Sequence, residues 1–437
     1  MIGFAGLSHL GIVSSLAAAE RGSQIVRAYD PDSSLCDELQ RGELSIEEPG
    51  LEKLLKKNAS KLKFDSDLRV LVECDIIYLS MDVPTDSNGR SELSKIRQLI
   101  EDVTSVASPG TVLILLSQVP PGFTRKLASE LILSNDRELQ LFYQVETLIF
   151  GRAVERALHP ERIIVGCLDK SAPLPSEYRQ FLDQFKCPVL PMRYESAELT
   201  KIAINMFLIS SLSTTNMLAG ICEVIGAEWN EIAPALRLDE RIGPHAYLSP
   251  GLGIGGTNLI RDLTTLRLLA KDVGVDVEMV DSWLNVSHNR RDWVLRIISN
   301  QVLSQAGTPN PLLAVLGLTY KPHTNSTANS PALSLITQLN NLSFRGYDPC
   351  ACIDESQHLN LKLCDSPVEA CRGADAVLVM TPWPEFSEVN IKNIQEVMHG
   401  RVLIDPFGIL SIDQCEALNL SYFRLGSKND GVVSPVN

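Results

Sequence analysis

The run Gly251-Leu-Gly-Ile-Gly-Gly-Thr-Asn-Leu-Ile-Arg-Asp262 gathers residue types that a reaction centre needs. Gly251, Gly253, Gly255 and Gly256 lack a Cβ, so a backbone built from them can approach an anion or a sugar closely. Arg261 and Asp262 follow at once as a cation and a base. Asn258 stands at the edge of this loop, where a nucleophile would be useful. An amide forms neither a thioester nor a stable acyl intermediate, so one kind of chemistry is missing from that position. Asn258 is either a neutral replacement or an amide that positions a carbonyl or hydroxyl, and the residues alone leave both open. Upstream, Glu198, Lys201 and Asn205 fall at i, i+3 and i+7 and share one face of a helix. The same spacing also suits a surface ion pair between Glu198 and Lys201, which is worth little.

These groups need a scaffold, and the chain begins with one. Met1-Ile-Gly-Phe-Ala-Gly-Leu-Ser-His-Leu-Gly11 reads as an apolar strand, a tight turn and a helix start. Gln24-Ile-Val-Arg-Ala-Tyr-Asp30 reads as a second strand that ends in an acid. Together they make the βαβ fingerprint of a dinucleotide site, with Gly6 and Gly11 at the turn and Asp30 for the ribose hydroxyls. Ser8 departs from it, because its Cβ stands where the backbone should meet a pyrophosphate. His9 reads as a spacer within the turn.

The landmarks then recur. Leu313-Ala-Val-Leu-Gly-Leu-Thr-Tyr320 echoes Ile2 to His9, and Phe344-Arg-Gly-Tyr-Asp-Pro349 echoes Val26 to Pro31. Ala374-Asp-Ala-Val-Leu-Val-Met380 with Pro382 echoes Cys74 to Ser80 with Pro84. This order predicts an α/β protein, with two Rossmann-like doubly wound parallel-sheet domains joined by a central helical segment. The expected divisions are 1–194 for dinucleotide binding, 195–300 for the helical connector and active-site loop, and 301–437 for the second sheet. Pro309-Asn-Pro311 marks the last boundary.

The bulk composition sets limits. A chain of 437 residues exceeds one ordinary core. A net charge of −14 argues against nucleic-acid binding, which calls for a basic face. The ten cysteines form no CxxC pair, so no metal site is expected and reduced thiols in the cytoplasm are. Ile202 to Cys222 carries no charge over a bilayer-spanning length. Its serines, threonines and asparagines point instead to a helix buried between domains or subunits, so no membrane association is expected.

Taken together, these motifs resemble the nucleotide-sugar dehydrogenases, the family of UDP-glucose and GDP-mannose dehydrogenases. Pro160-Glu-Arg-Ile-Ile-Val-Gly166 is similar to the family's Pro-Asp-Arg-Ile-Val-Ile-Gly, and Glu198 through Asn205 to its Glu-x-x-Lys-x-x-x-Asn helix. Arg241-Ile-Gly243, Tyr247-Leu248 and the loop from Gly251 resemble the approach to its catalytic site. Gly317-Leu-Thr-Tyr-Lys-Pro322 and Ser330-Pro-Ala332 resemble the opening of its nucleotide-binding domain. The resemblance implies two NAD-dependent oxidations of a sugar alcohol, the second through a cysteine thioester. The cysteine stands in Gly-Gly-Ser-Cys-Phe-x-Lys-Asp, and Asn258 takes its place here. Other departures accompany it. Gln118 replaces a threonine, Phe150 replaces the second glutamate of a segment that keeps Glu146, Ala328 replaces an arginine, and Asp405-Pro-Phe407 lacks another.

From this resemblance Lys201, Asn205, Asp262, Asn258 and Glu146 are the expected catalytic set. Lys201 would steady oxyanion character, Asn205 would hold a water or hydroxyl, and Asp262 would take the alcohol proton. Gly6, Ser8, Gly11, Asp30, Pro84 and Gln118 would contact NAD. Arg241 (from a partner subunit in the family), Tyr247, Gly251, Gly253, Gly255 and Lys321 would contact the nucleotide sugar, a UDP-sugar first of all. A homodimer is expected. The retained groups suffice for one two-electron oxidation of an alcohol. An inactive nucleotide-sugar-binding or regulatory protein is the alternative, and cysteine-independent oxidation to a uronic acid is a third reading.

Overall fold

The computed structural model describes residues 1–22, 25–86, 89–134, 138–304 and 310–428. Gln24 and Pro309, which open the expected second strand and the last boundary, lie outside the described residues. The chain packs as two compact units, Met1–Ile204 and Asn205–Asn437.

In the first unit, β1 (Ile2–Ala5), β2 (Val26–Tyr29), β3 (Leu62–Asp65), β4 (Ile76–Leu79), β5 (Val112–Leu115), β6 (Gln140–Gln144), β7 (Ile163–Cys167) and β8 (Val189–Arg193) form one sheet. Its order is β3-β2-β1-β4-β5-β6-β7-β8, and only the β6–β7 pair is antiparallel. The central strands form because both of their faces are covered, which is why they read as unbroken apolar runs. Alternate residues feed opposite cores. Phe4, Ile76, Tyr78, Val112 and Ile114 enter one, while Ala5, Ile77, Leu79, Leu113 and Leu115 enter the other. Burying each such large side chain contributes on the order of 1.5–3 kcal/mol.

The second unit carries β9 (Leu312–Leu316), β10 (Ser343–Tyr347), β11 (Leu361–Leu363), β12 (Ala376–Val379), β13 (Val402–Ile404) and β14 (Ser421–Phe423). Every pair is parallel, in the order β11-β10-β9-β12-β13-β14. Numbered within each sheet, the first six strands of both units follow 3-2-1-4-5-6, the doubly wound order. The repeated landmarks fall on matching strands, with β9, β10 and β12 in the places of β1, β2 and β4. The repeat extends to one hydrogen bond. Leu7 N donates to Asp30 Oδ2 at 2.7 Å after β2, and Leu318 N donates to Asp348 Oδ2 at 2.7 Å after β10.

The helix Tyr194–Ile225 runs for 32 residues and is long and apolar enough to cross a membrane by length and composition. In the single chain it is not buried all round, and the expectation of a helix buried between domains or subunits is left untested on that side. Phe207 is 79% exposed and Val224 62% exposed. Its polar residues hold a loop instead: Ser211 Oγ and Thr215 Oγ1 donate to Tyr247 O at 3.1 and 2.9 Å, and Gly251 N donates to Asn216 Oδ1 at 2.9 Å. Hydroxyls and an amide on this helix thus fix where the glycine loop starts.

Candidate active site

The turn between β1 and the helix His9–Arg21 is shaped by close approach. A Cβ on Gly11 would lie 1.8 Å from Gly6 O, so only glycine lets the helix sit on the strand end. Gly6 N donates to Tyr29 O at 2.9 Å. Asp30 Oδ1 accepts from Asp32 N at 3.0 Å while its other oxygen holds Leu7 N. The acid expected to meet a ribose therefore also locks the turn. Ser8 precedes the helix without capping it. Its Oγ donates to Ser80 O at 3.3 Å and accepts from Asp82 N at 2.8 Å. Pro84 is exposed two residues further on, and Gln118 follows β5 half-buried.

His9 is more than a spacer. Its Nε2 lies 2.9 Å from Oε1 of buried Glu48, and its ring lies 4.4 Å from the Phe150 ring between centroids. Glu48 also accepts from Gly151 N at 2.9 and 3.0 Å and from Ala153 N at 3.3 Å. Burial would raise the Glu48 carboxyl, but the bonds from His9, Gly151 and Ala153 outweigh it and leave the group below the ordinary glutamate range. Nothing in the local sequence signals this knot, because its parts lie far apart in the chain.

The face shared by Glu198, Lys201 and Asn205 does not work as a unit. Glu198 is buried and accepts from Gly122 N at 2.6 Å and Thr124 N at 2.8 Å, closing the start of the helix Phe123–Ser134. Burial pushes its carboxyl up against the pull of these N–H groups. The bland reading of a Glu198–Lys201 pair therefore fails. Lys201 Nζ turns to Glu146, donating to its backbone O at 2.9 Å and to Oε2 at 3.1 Å. Glu146 Oε1 also accepts from Leu148 N. An ammonium has three N–H donors, and these two bonds aim it from a mostly buried position.

In the second unit, Asn205 Nδ2 donates to Asp262 Oδ2 at 2.5 Å, and Arg261 Nε stands 3.4 Å from Asp262 Oδ1. Asp262 is 1% exposed, so this is a buried carboxylate oriented by an amide and partnered by a cation. It is not the solvated helix-start charge that its neighbour Arg261 would also have allowed. Asn258 is the first residue of the helix Asn258–Val273 and is exposed. The first N–H groups of a helix lack intrahelical partners and favour negative charge beside them.

The glycines of the loop bring it close to the chain's own residues. A Cβ on Gly253, which has φ +86°, would lie 2.5 Å from Ser287 Oγ, and Ser287 Oγ accepts from Ile254 N at 2.8 Å. Gly255 lies against the Tyr320 ring, and Asn329 Nδ2 donates to Gly256 O at 2.8 Å. Gly251 lies nearest Phe407. The Phe407 turn is held by Asp405, which accepts from Phe407 N, Gly408 N and Leu410 N and from Tyr422 OH. Lys321 Nζ stands 5.6 Å from the Tyr320 ring centroid. Tyr247 is 45% exposed. Arg241 is exposed and pairs with Asp239 at 2.7 Å. Ser287, Tyr320 and Asn329 carried no local motif pointing to this loop.

A doubly wound parallel sheet with a glycine turn and an acid after its second strand is the architecture of a dinucleotide-binding protein, here with the sheet repeated. The chain belongs to the UDP-glucose/GDP-mannose dehydrogenase family. Residues 1–182 match that family's NAD binding domain, 195–289 its central domain and 314–412 its UDP binding domain. NAD is accordingly the cofactor. The UDP-glucose 6-dehydrogenase TuaD of Bacillus subtilis is 29% identical over 432 residues, covering 96% of this chain and 92% of the relative. The UDP-glucose 6-dehydrogenase of Rickettsia typhi is 28% identical, covering 98% and 99%. In fold, the chain is similar to a UDP-glucose dehydrogenase from Pyrobaculum islandicum (TM-score 0.83, 22% identity, covering 98% and 97%). It is equally similar to a UDP-D-ManNAc dehydrogenase from Pyrococcus horikoshii (TM-score 0.83, 23% identity, covering 99% and 100%).

Proposed function

We propose that this chain oxidises one alcohol of a nucleotide sugar, a UDP-sugar first of all, by a single two-electron step that stops at an aldehyde or ketone. The observation that carries this reading is the helix start at Asn258. A thiol there would have its pKa lowered by the helix N-terminus and neighbouring cations and would act as a nucleophile. An amide gains nothing from that field. Bound NAD would supply the hydride acceptor, held by the turn Gly6 to Gly11 and by Asp30. Asp262 takes the alcohol proton directly or through one water, and Asn205 fixes the carboxylate for that transfer. Lys201, aimed by Glu146, steadies the negative charge that grows on the alcohol oxygen as its proton leaves and the hydride departs from carbon. Tyr247, Lys321 and the loop from Gly251 to Gly255 hold the nucleotide sugar, with Arg241 contributed by a second copy.

The test is to incubate the protein with NAD and, in turn, UDP-, GDP- and dTDP-sugars, and to weigh the product. Loss of two hydrogens with one NADH per sugar is the expected result. Gain of a carboxylate oxygen with two NADH would replace this reading by oxidation to the acid. No product from any sugar, with binding intact, would favour a regulatory protein.

A further inference from the structure

A dinucleotide turn recognises phosphate through backbone N–H groups left unpaired at a helix start. In this chain two carboxylates already answer such groups. Asp30 holds Leu7 N, as an acid after the second strand does. The second carboxylate is unexpected: Asp82 Oδ2 accepts from Leu10 N at 3.4 Å, in the first turn of the helix His9–Arg21. Asp82 lies in the loop that leaves β4; the residue reaches the surface, while the packing around its carboxyl pushes its pKa up by burial. A ligand arriving at the turn would therefore meet it. Ser8 keeps it there, because Ser8 Oγ accepts from Asp82 N at 2.8 Å and donates to Ser80 O at 3.3 Å. Instead of capping its own helix, the serine ties the β4 exit loop across that helix's start.

The geometry points to Asp82 as a resident competitor for cofactor phosphate, tethered by Ser8, that sets how tightly this chain holds NAD. The inference rests on the assignment of NAD to this turn. A pyrophosphate that takes Leu10 N must move a carboxylate off it, and any carboxylate left nearby repels the incoming charge. The other charged groups around the turn do not cancel this effect. His9 is engaged with Glu48, and Glu146 is engaged with Lys201. Ser8 and Asp82 thus act as a pair. The side chain that departs from the glycine fingerprint is also the one that holds the acid in place.

Calorimetric titration of the full chain with NAD, ADP-ribose and adenosine tests the idea. Asp82→Gly frees Leu10 N and removes the charge, and it should tighten NAD and ADP-ribose by roughly tenfold. Adenosine, which has no phosphate, should bind both proteins alike. Ser8→Ala, which releases the tether, should shift NAD in the same direction by less, and thermal melting of each variant checks that the fold is kept. Equal NAD affinity in wild type and Asp82→Gly would overturn the role of Asp82 while leaving the NAD assignment intact. An equal gain for adenosine would overturn it too, because the effect would then not concern phosphate. Absence of NAD binding to both proteins would remove the NAD assignment and the inference with it.

Discussion

At the scale of single residues, the proposed single-step oxidation is tested at Asn258. Asn258→Cys places a thiol on the first residue of a helix, where thiolates are favoured. The variant should consume two NAD per sugar and yield an acid, against one NAD and a carbonyl for wild type. The readout is NADH per mole of sugar together with product mass. A variant that still stops after one NADH would locate the block elsewhere, at Phe150 or Gln118. Glu48 gives a second residue-level prediction, through pH. Its folded pKa lies below the ordinary glutamate value of about 4.3, so its stabilising effect is complete above that value. The effect is lost as pH falls through the folded pKa. Melting temperature followed from about pH 5 to about pH 3 should therefore drop more steeply for wild type than for Glu48→Gln. Parallel curves would mean that the bonds from His9, Gly151 and Ala153 do not favour the charged form.

At the scale of elements, one helix start is held by a side chain that the sequence placed on a helix face without saying what that face meets. Glu198 closes the start of the helix Phe123–Ser134. Glu198→Ala should leave Gly122 N and Thr124 N without their acceptor, at a cost of about 1–3 kcal/mol for the buried Thr124 donor and less for the half-buried Gly122 donor. Glu198→Gln keeps one acceptor oxygen and should cost less. Calorimetric melting of both variants checks this, and equal transitions would show that solvent replaces the carboxylate freely. The strands were legible for a physical reason. Parallel strands covered on both faces read as apolar runs, so β1 and β4 and their counterparts β9 and β12 stand out in the sequence, whereas β2 and β10 are marked by the Tyr-Asp-Pro at their ends. The Gly6 to Gly11 turn and Asp30 were legible because the fingerprint is local. Asp82, Glu48, Ser287 and Tyr320 were not, because each meets its partner across a long stretch of chain. Glu48 and Gly151, for instance, are 103 residues apart. The glycine loop was half legible: its flexibility was visible, but its packing against Ser287 and Tyr320 was not.

At the scale of the whole molecule, the helix Tyr194–Ile225, uncharged from Ile202 to Cys222, poses the remaining question, namely what covers its outer side. Phe207, Met217, Ile221, Val224 and Ile225 are 79%, 51%, 46%, 62% and 69% exposed. At 100° per residue they fall within about 100° of the helix circumference, a stripe of the width that core-facing helices bury. Exposed apolar side chains aligned in this way, with Ser210 and Thr214 between them, offer an interaction surface, and a second copy of the chain presents the same stripe for self-complementary burial. Arg241 adds a functional reason to expect pairing. It is exposed, held only by the neighbouring Asp239 among the interactions described, and free to exchange that carboxylate for a phosphate in another copy. Phe207→Glu combined with Val224→Glu introduces like charges into the stripe. Light scattering after size exclusion should then report a dimer for wild type and a monomer for the variant. If each site borrows Arg241 from a neighbouring copy, the same variant should show a raised KM for the nucleotide sugar, while NAD affinity measured by calorimetry stays at the wild-type value because the residues of the cofactor turn come from one chain. A wild-type monomer at micromolar concentration, or a double variant that remains dimeric, would remove the stripe as the interface. A monomeric variant with unchanged KM would keep the interface and take Arg241 out of the substrate site.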